Sequence, residues 1–201
     1  MRFGWGIELG LLCASIAVAP LAFAEGASPT HDGPFGIYMG EPISALGPVQ
    51  PDGAGTYDVL KPARPNVSFP RVAVEAYPTI GVCTILAWRS ITDDPAGAKV
   101  LRATDDLGQA LKAKYGDFEK IDECDVADEA CSSAWATEAV QGAARYGYKW
   151  EFARPHQDGT RMIVLAAGAI DAATTKVMIG YYSSDEERCE AAKKAALAGG
   201  L

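Results

Sequence analysis

The chain has 201 residues, of which 26 are Asp or Glu and 18 are Lys or Arg, giving a formal charge of −8 and a pI near 4.8. That balance excludes nucleic acid, whose phosphates require a positive surface, and argues equally against anionic lipid head groups. Hydrophobic residues make up 49% of the chain, enough for one sizeable core. A basic partner, a metal ion or a neutral ligand remains compatible with the charge.

Residues 1–24 read as a secretory signal peptide. Arg2 precedes an apolar run over residues 9–19 that only Gly10 and Ser15 interrupt, and Ala22-Phe23-Ala24 forms a small-x-small cleavage signal. Glu8 is atypical for such a segment, and Cys13 follows Leu12 inside the run, which is not the place of a lipid-modified cysteine. The run is too short for a membrane anchor, so the expectation is export to the periplasm or the medium, with no membrane insertion after cleavage. Residues 25–34 are a polar leader, and residues 35–201 form a single α+β domain.

Residues 35–40 read as a short strand stopped by Gly40, followed by a helical turn over residues 41–46 with Pro42 at its first position. Residues 48–55 are turn-rich. Pro62, Pro65 and Pro70 then restrict this region to short or edge strands, such as residues 57–60. Residues 71–77 alternate, Pro78-Thr79-Ile80-Gly81 makes a turn, and residues 82–91 are apolar as in a central strand buried on both faces. Thr92 or Asp93 is placed to cap a helix ending at Tyr115, with Gly116 as its stop. An acidic loop fills residues 117–133, and a second helix is predicted for residues 135–145. Strands follow at 148–154, 161–170 and 176–182, and Asp158-Gly159 marks the first hairpin turn. A closing helix occupies residues 186–197.

Runs of strands with helices beside them imply an antiparallel sheet covered by helices on one side. Residues 71–94 and 161–186 each read strand, turn, strand, acidic cap, so the halves are open to interpretation as an internal duplication or as two independent hairpin–helix units. Once Cys13 leaves with the signal, Cys83, Cys124, Cys131 and Cys189 remain, an even count that reads as two disulfides in an exported chain. The spacing excludes none of the three possible connectivities; the favoured one is Cys124–Cys131 as a local clasp with Cys83–Cys189 as a tie between a central strand and the last helix. The loops closed correspond to about 2.5 and about 5 kcal/mol in the chain-entropy account.

Phe35-Gly36-Ile37-Tyr38-Met39-Gly40, followed by Ile43 and Leu46, resembles the FGIxxG opening of small exported α+β modules of Gram-negative bacteria. These include modules similar to the beta-lactamase inhibitory protein and to the small lipoprotein of the outer-membrane barrel-assembly complex. The helix exit Lys114-Tyr115-Gly116 is similar to that of periplasmic proteins of this kind. The resemblance covers about a dozen residues and implies a scaffold that binds other proteins with its sheet face. The chain lacks the lipoprotein's modified cysteine, so a membrane-assembly role is not implied.

Of the two histidines, His31 lies in the leader and His156 in a hairpin loop, where no neighbouring nucleophile or orienting group makes it a general base. The acidic run from Asp122 to Glu129 lacks the spacing and central glycine of a calcium loop, so it reads as a solvated loop and no metal or cofactor is expected. Asn66-Val67-Ser68 matches a glycosylation acceptor. Tyr146, Tyr148, Trp150 and Phe152 share one strand face by period two, with Arg154 beside them. Such a stripe serves either as core or as a platform for a partner, because aromatics and arginine dominate interface hot spots. The expectation is an exported, non-catalytic binding protein of inhibitory, immunity-like or scaffolding type, whose partner is another exported or envelope protein held on a sheet face. The alternatives are a small-ligand or metal-binding protein and, behind it, a hydrolase with a dispersed site.

Overall fold

Two four-stranded meanders lie edge to edge in the computed structural model, which describes residues 33–124 and 133–199. The signal segment, most of the leader, His31, Cys131 and the acidic stretch at 125–132 lie outside the described residues. The first meander is β1 (Val49–Pro51), β2 (Thr56–Val59), β3 (Arg71–Tyr77) and β4 (Gly81–Ile91). The second is β5 (Glu119–Cys124), β6 (Ala144–Glu151), β7 (Thr160–Ala169) and β8 (Thr175–Ser183). All neighbours are antiparallel, and β4 pairs with β8 from Thr84↔Tyr182 to Ile91↔Thr175, giving the order β1-β2-β3-β4-β8-β7-β6-β5. The chain is therefore α+β with one eight-stranded antiparallel sheet.

Period-two alternation sends Val72, Val74, Ile85, Ala87, Ile163, Leu165, Val177 and Ile179 to one face, where all are buried. Helix α1 (Ala98–Tyr115) crosses β6, β7 and β8 on that face, and the short α2 (Trp135–Val140) adds Trp135 to the same core. Phe35, Ile37 and Leu46 close the other end, with Phe35 set edge-on to Tyr181 and Phe69. Close approach of α1 depends on Gly108, where an added Cβ would lie 2.6 Å from the Tyr148 ring. At the start of α1, Gly97 has φ +70 and its Cβ position lies 2.6 Å from the Trp135 ring, so both backbone and space require glycine.

Helix α3 (Glu186–Gly199) lies on the opposite face, over β3 and β8, and buries no residue fully. A bulge places both Cys83 and Thr84 opposite Glu75, and the extra residue, Cys83, reaches Cys189 of α3 in a disulfide. This is the one complete bridge among the described residues. Cys124 is also disulfide-bonded, and Cys131, its expected partner, is not described.

Several expectations need correction. Helices do not cover one side only, because the bridge carries α3 to the second face. The two hairpins lie side by side, yet their following helices take opposite faces, so they are not copies of one hairpin–helix arrangement. Residues 117–133 are not all loop: Glu119 to Cys124 pair with β6 as an edge strand whose charges guard an open edge. The helix expected over 135–145 ends at Val140, since Gly142 at φ +79 turns the chain into β6. The N-cap of α1 is neither Thr92 nor Asp93 but Gly97, and the first-turn amides of Lys99 and Val100 donate to the Asp94 carboxylate at 2.9 and 3.0 Å. The strand expected over residues 35–40 is replaced by a 3-10 turn, Pro34–Gly36, in which Phe35 and Gly36 both adopt positive φ, whereas the helical turn expected over 41–46 is present as Ile43–Ala45.

Candidate binding face

The aromatic stripe of β6 belongs to the core. Tyr148 is 4% and Trp150 1% exposed, and Tyr146 is half-buried beneath α1. Both tyrosine hydroxyls donate to Asp105 Oδ1 of α1 at 2.6 Å, and the Trp150 indole N–H donates to the Gly116 carbonyl at 3.1 Å. Burial, and after it the hydrogen bond to Asp105, push the Tyr146 phenol up to about 12, and Tyr148 is raised by the same causes in the same order. Phe152, beyond the end of β6, packs partly buried against Tyr115 and His156. Arg154 is exposed in the following turn, away from the rings. These five residues therefore do not form an exposed platform. Each ring on the α1 side of β6 is claimed by α1 and the Gly116 turn.

The face left available is the other one. One row of directly opposed residues runs Arg71, Trp88, Met178, Ala166, Gly147, Ile121 from β3 to β5. The next row places Leu86, Gly180 and Val164 between Ala73 and Lys149. A sheet face turned to water normally carries polar side chains. Here Leu86, Trp88, Val164, Ala166 and Met178 all stand on it, half-buried, on the three central strands. Among the described residues only α3 lies over this face, at the end near Cys83.

Charged groups frame the apolar rows. The Arg71 guanidinium lies 5.3 Å from the Trp88 ring centroid and pairs with Asp58 at 3.3 Å. Lys149 pairs with Glu151 at 2.9 Å and Arg145 with Glu123 at 3.5 Å. The small floor of Gly147, Ala166 and Gly168 leaves a depression of about 390 Å³ beside Met178, Lys176 and Arg145. What this arrangement offers chemically is apolar contact, cation–π attraction and charge pairing over a broad, shallow surface.

His156 packs at 4.2 Å, edge to face, on Phe152, its side chain remote from this face. Among the described residues no group of three or more His, Cys, Asp or Glu could hold a metal ion. Sequence reasoning passed over the Trp88 row because residues 82–91 are apolar apart from Thr84, Arg89 and Ser90, and such a run does not reveal which of its two faces is covered. In β7, Met162, Val164, Ala166 and Gly168 likewise alternate with the buried Ile163, Leu165 and Ala167, so both faces of that strand also read as apolar. Comparison of the chain with known protein families, with curated proteins and with solved structures finds no match in any of the three.

Proposed function

We propose that this is an exported, non-catalytic binding protein, of inhibitory or scaffolding type, that holds another exported or envelope protein on its open sheet face. One observation carries the reading: two adjacent surface rows, Trp88 with Met178 and Leu86 with Val164, with Arg71 stacked on Trp88, on strands whose other face is a complete core. Trp, Met and Arg are the residues enriched where proteins meet, and a few central aromatic and arginine anchors carry most of the binding energy of such contacts. The six strands from β3 to β5, at about 4.8 Å spacing, span about 24 Å, a surface suited to a protein, whereas a small ligand is mostly enclosed by its pocket.

Export is supported by the signal pattern of residues 1–24 and by the Cys83–Cys189 bridge, since such bonds persist in oxidising compartments. No helix among the described residues is long and apolar enough to cross a membrane. The same reading includes a second bridge between Cys124 and Cys131, which closes a short loop next to the edge strand β5.

The test is affinity capture from native periplasmic extract with the wild-type protein and with Trp88→Glu, whose side chain is half-exposed and whose replacement leaves the opposite core untouched. The expected result is one salt-stable partner at near-equal amount with wild type, lost with Trp88→Glu at an unchanged melting temperature. Recovery of the same proteins by both, or of none by either, would overturn the reading.

A further inference from the structure

A cleft of about 630 Å³ lies where β3, β4 and β8 meet α3. Six carboxylates line it, from Glu75, Glu151, Asp185, Glu186, Glu187 and Glu190, against two cations, Arg161 and Lys193. Three of the six are already matched: Glu75 by Lys193 at 3.0 Å, Glu151 by Lys149 at 2.9 Å and Asp185 by Arg188 at 2.6 Å. Glu186, Glu187 and Glu190, all on α3, have no ion-pair partner among the described residues.

A second feature is independent of the charge. Tyr77 forms part of the cleft wall, is 3% exposed, and its hydroxyl is buried without a hydrogen-bond partner among the described residues. Nearly all buried hydroxyls in folded proteins are paired, and phenylalanine would fill the same space without leaving a polar atom unmet. The Tyr77 hydroxyl lies within the electrostatic reach of Glu75, Lys193 and Glu190, which places it toward α3. Burial first, and Glu75 second, raise its pKa, so it stays protonated and offers both a lone pair and a proton.

We propose that this cleft binds an organic cation, a primary ammonium or a guanidinium, held by Glu187 and Glu190 with the Tyr77 hydroxyl as acceptor. The unmatched carboxylates set the sign of the ligand. The carboxylates are spread along a helix and two strands, and no trio is gathered as a metal requires, so the cation is a molecular one. Lys193, with its side chain 40% exposed and its ammonium on Glu75, shows within the chain itself the kind of group the cleft accommodates. The same chemistry is presented by a basic side chain of a peptide and by a free polyamine. The proposal does not rest on what docks against Trp88, which stands on another part of the face.

The experiment is calorimetric titration of the full chain at low ionic strength, with spermidine in one series and a short Lys-Arg peptide in another. Saturable binding is expected from at least one probe, and which one binds assigns the source of the cation. Tyr77→Phe should keep the melting temperature and weaken binding about tenfold or more, the usual loss for a hydrogen bond from a charged donor. Glu190→Gln, an exposed change, should weaken it as well. No saturable binding by either probe, or binding that either variant leaves unchanged, would overturn the proposal.

Discussion

Asp94 is buried at the hinge between β4 and α1, and its two oxygens serve three donors: the amides of Lys99 and Val100 and the hydroxyl of Thr175. The first-turn amides of a helix lack intrahelical acceptors, so this carboxylate both starts α1 and ties it to β8. Asp94→Ala is expected to lower stability by about 2–3 kcal/mol, more than an exposed cap, because buried donors are left unmet. Denaturant unfolding monitored by circular dichroism measures it, and a loss within a few tenths of a kcal/mol would mean that water replaces the carboxylate. Asp105, further along α1, ties the helix to the sheet in a related way by accepting from Tyr146 and Tyr148. Tyrosines of the unfolded chain ionise near pH 10, whereas Tyr146 keeps its proton to about 12, chiefly through burial and then through Asp105. Between those values the unfolded chain has released a proton that the folded chain retains. The contribution is therefore complete below pH 10 and is lost as the pH rises to about 12. Alkaline titration followed by phenolate absorbance should show Tyr146 ionising well above the exposed tyrosines, and Asp105→Asn should move that step to lower pH. An unmoved step would place the cause in burial alone. Neither aspartate role was legible in the sequence, where the cap was expected at Thr92 or Asp93 and Asp105 is one of two adjacent acids on a helix.

Helix α3 is held by few points. It has no fully buried residue, its Leu197 is exposed, and its ties to the sheet are the Cys83–Cys189 bridge and the Lys193–Glu75 pair. A 14-residue helix is marginal in water by itself, and a partly exposed ion pair contributes little. Cys83→Ala with Cys189→Ala should thus release α3 while the sheet and its α1-covered core persist. Protease should cut within residues 186–199, and global stability should fall by about 3–5 kcal/mol, since the bridge spans a sequence separation of 106. If α3 amides in that variant exchange as slowly as those of β8, packing rather than the bridge anchors the helix. Element by element, the chain announces what its local chemistry dictates. The alternation of residues 71–77, Gly116 after Tyr115, Asp158-Gly159 between β6 and β7, and the Cys83–Cys189 pair were all readable. Elements decided by partners were not: β5 becomes a strand only because β6 offers an edge, and the short α2 ends where Ala144 must enter the sheet. The orientation of the β6 aromatics likewise depends on where α1 lands, which no periodicity encodes.

At the scale of the molecule, the question is whether two meanders behave as one protein. They share the β4–β8 ladder, from Thr84↔Tyr182 to Ile91↔Thr175, and above it a continuous apolar layer in which Ile85 and Ala87 of one meander meet Ile179 and Val177 of the other. Helix α1 is fed by β4 but packs on β6, β7 and β8, so the helix that leaves the first meander covers the core of the second. Ala96, Gly97 and Trp135 sit at that crossover, with the Ala136 amide donating to the Pro95 carbonyl at 3.1 Å. Opening the β4–β8 seam would expose the most apolar region of the molecule, and the burial lost scales at about 25 cal/mol per Å². The seam should accordingly be the last region to open, not a line of weakness between halves. Native-state hydrogen exchange is expected to find the slowest amides in β4, β8 and β7, all exchanging with the free energy of global unfolding. The edge strands β1, ended by Pro51, and β5, charged on both faces, should exchange orders of magnitude sooner. Faster exchange along β4–β8 than within the β3–β4 and β7–β8 hairpins would instead mean that each meander folds as its own unit. In that case Trp88 and Met178, paired across the seam, would be held in register only when a partner or α3 spans it.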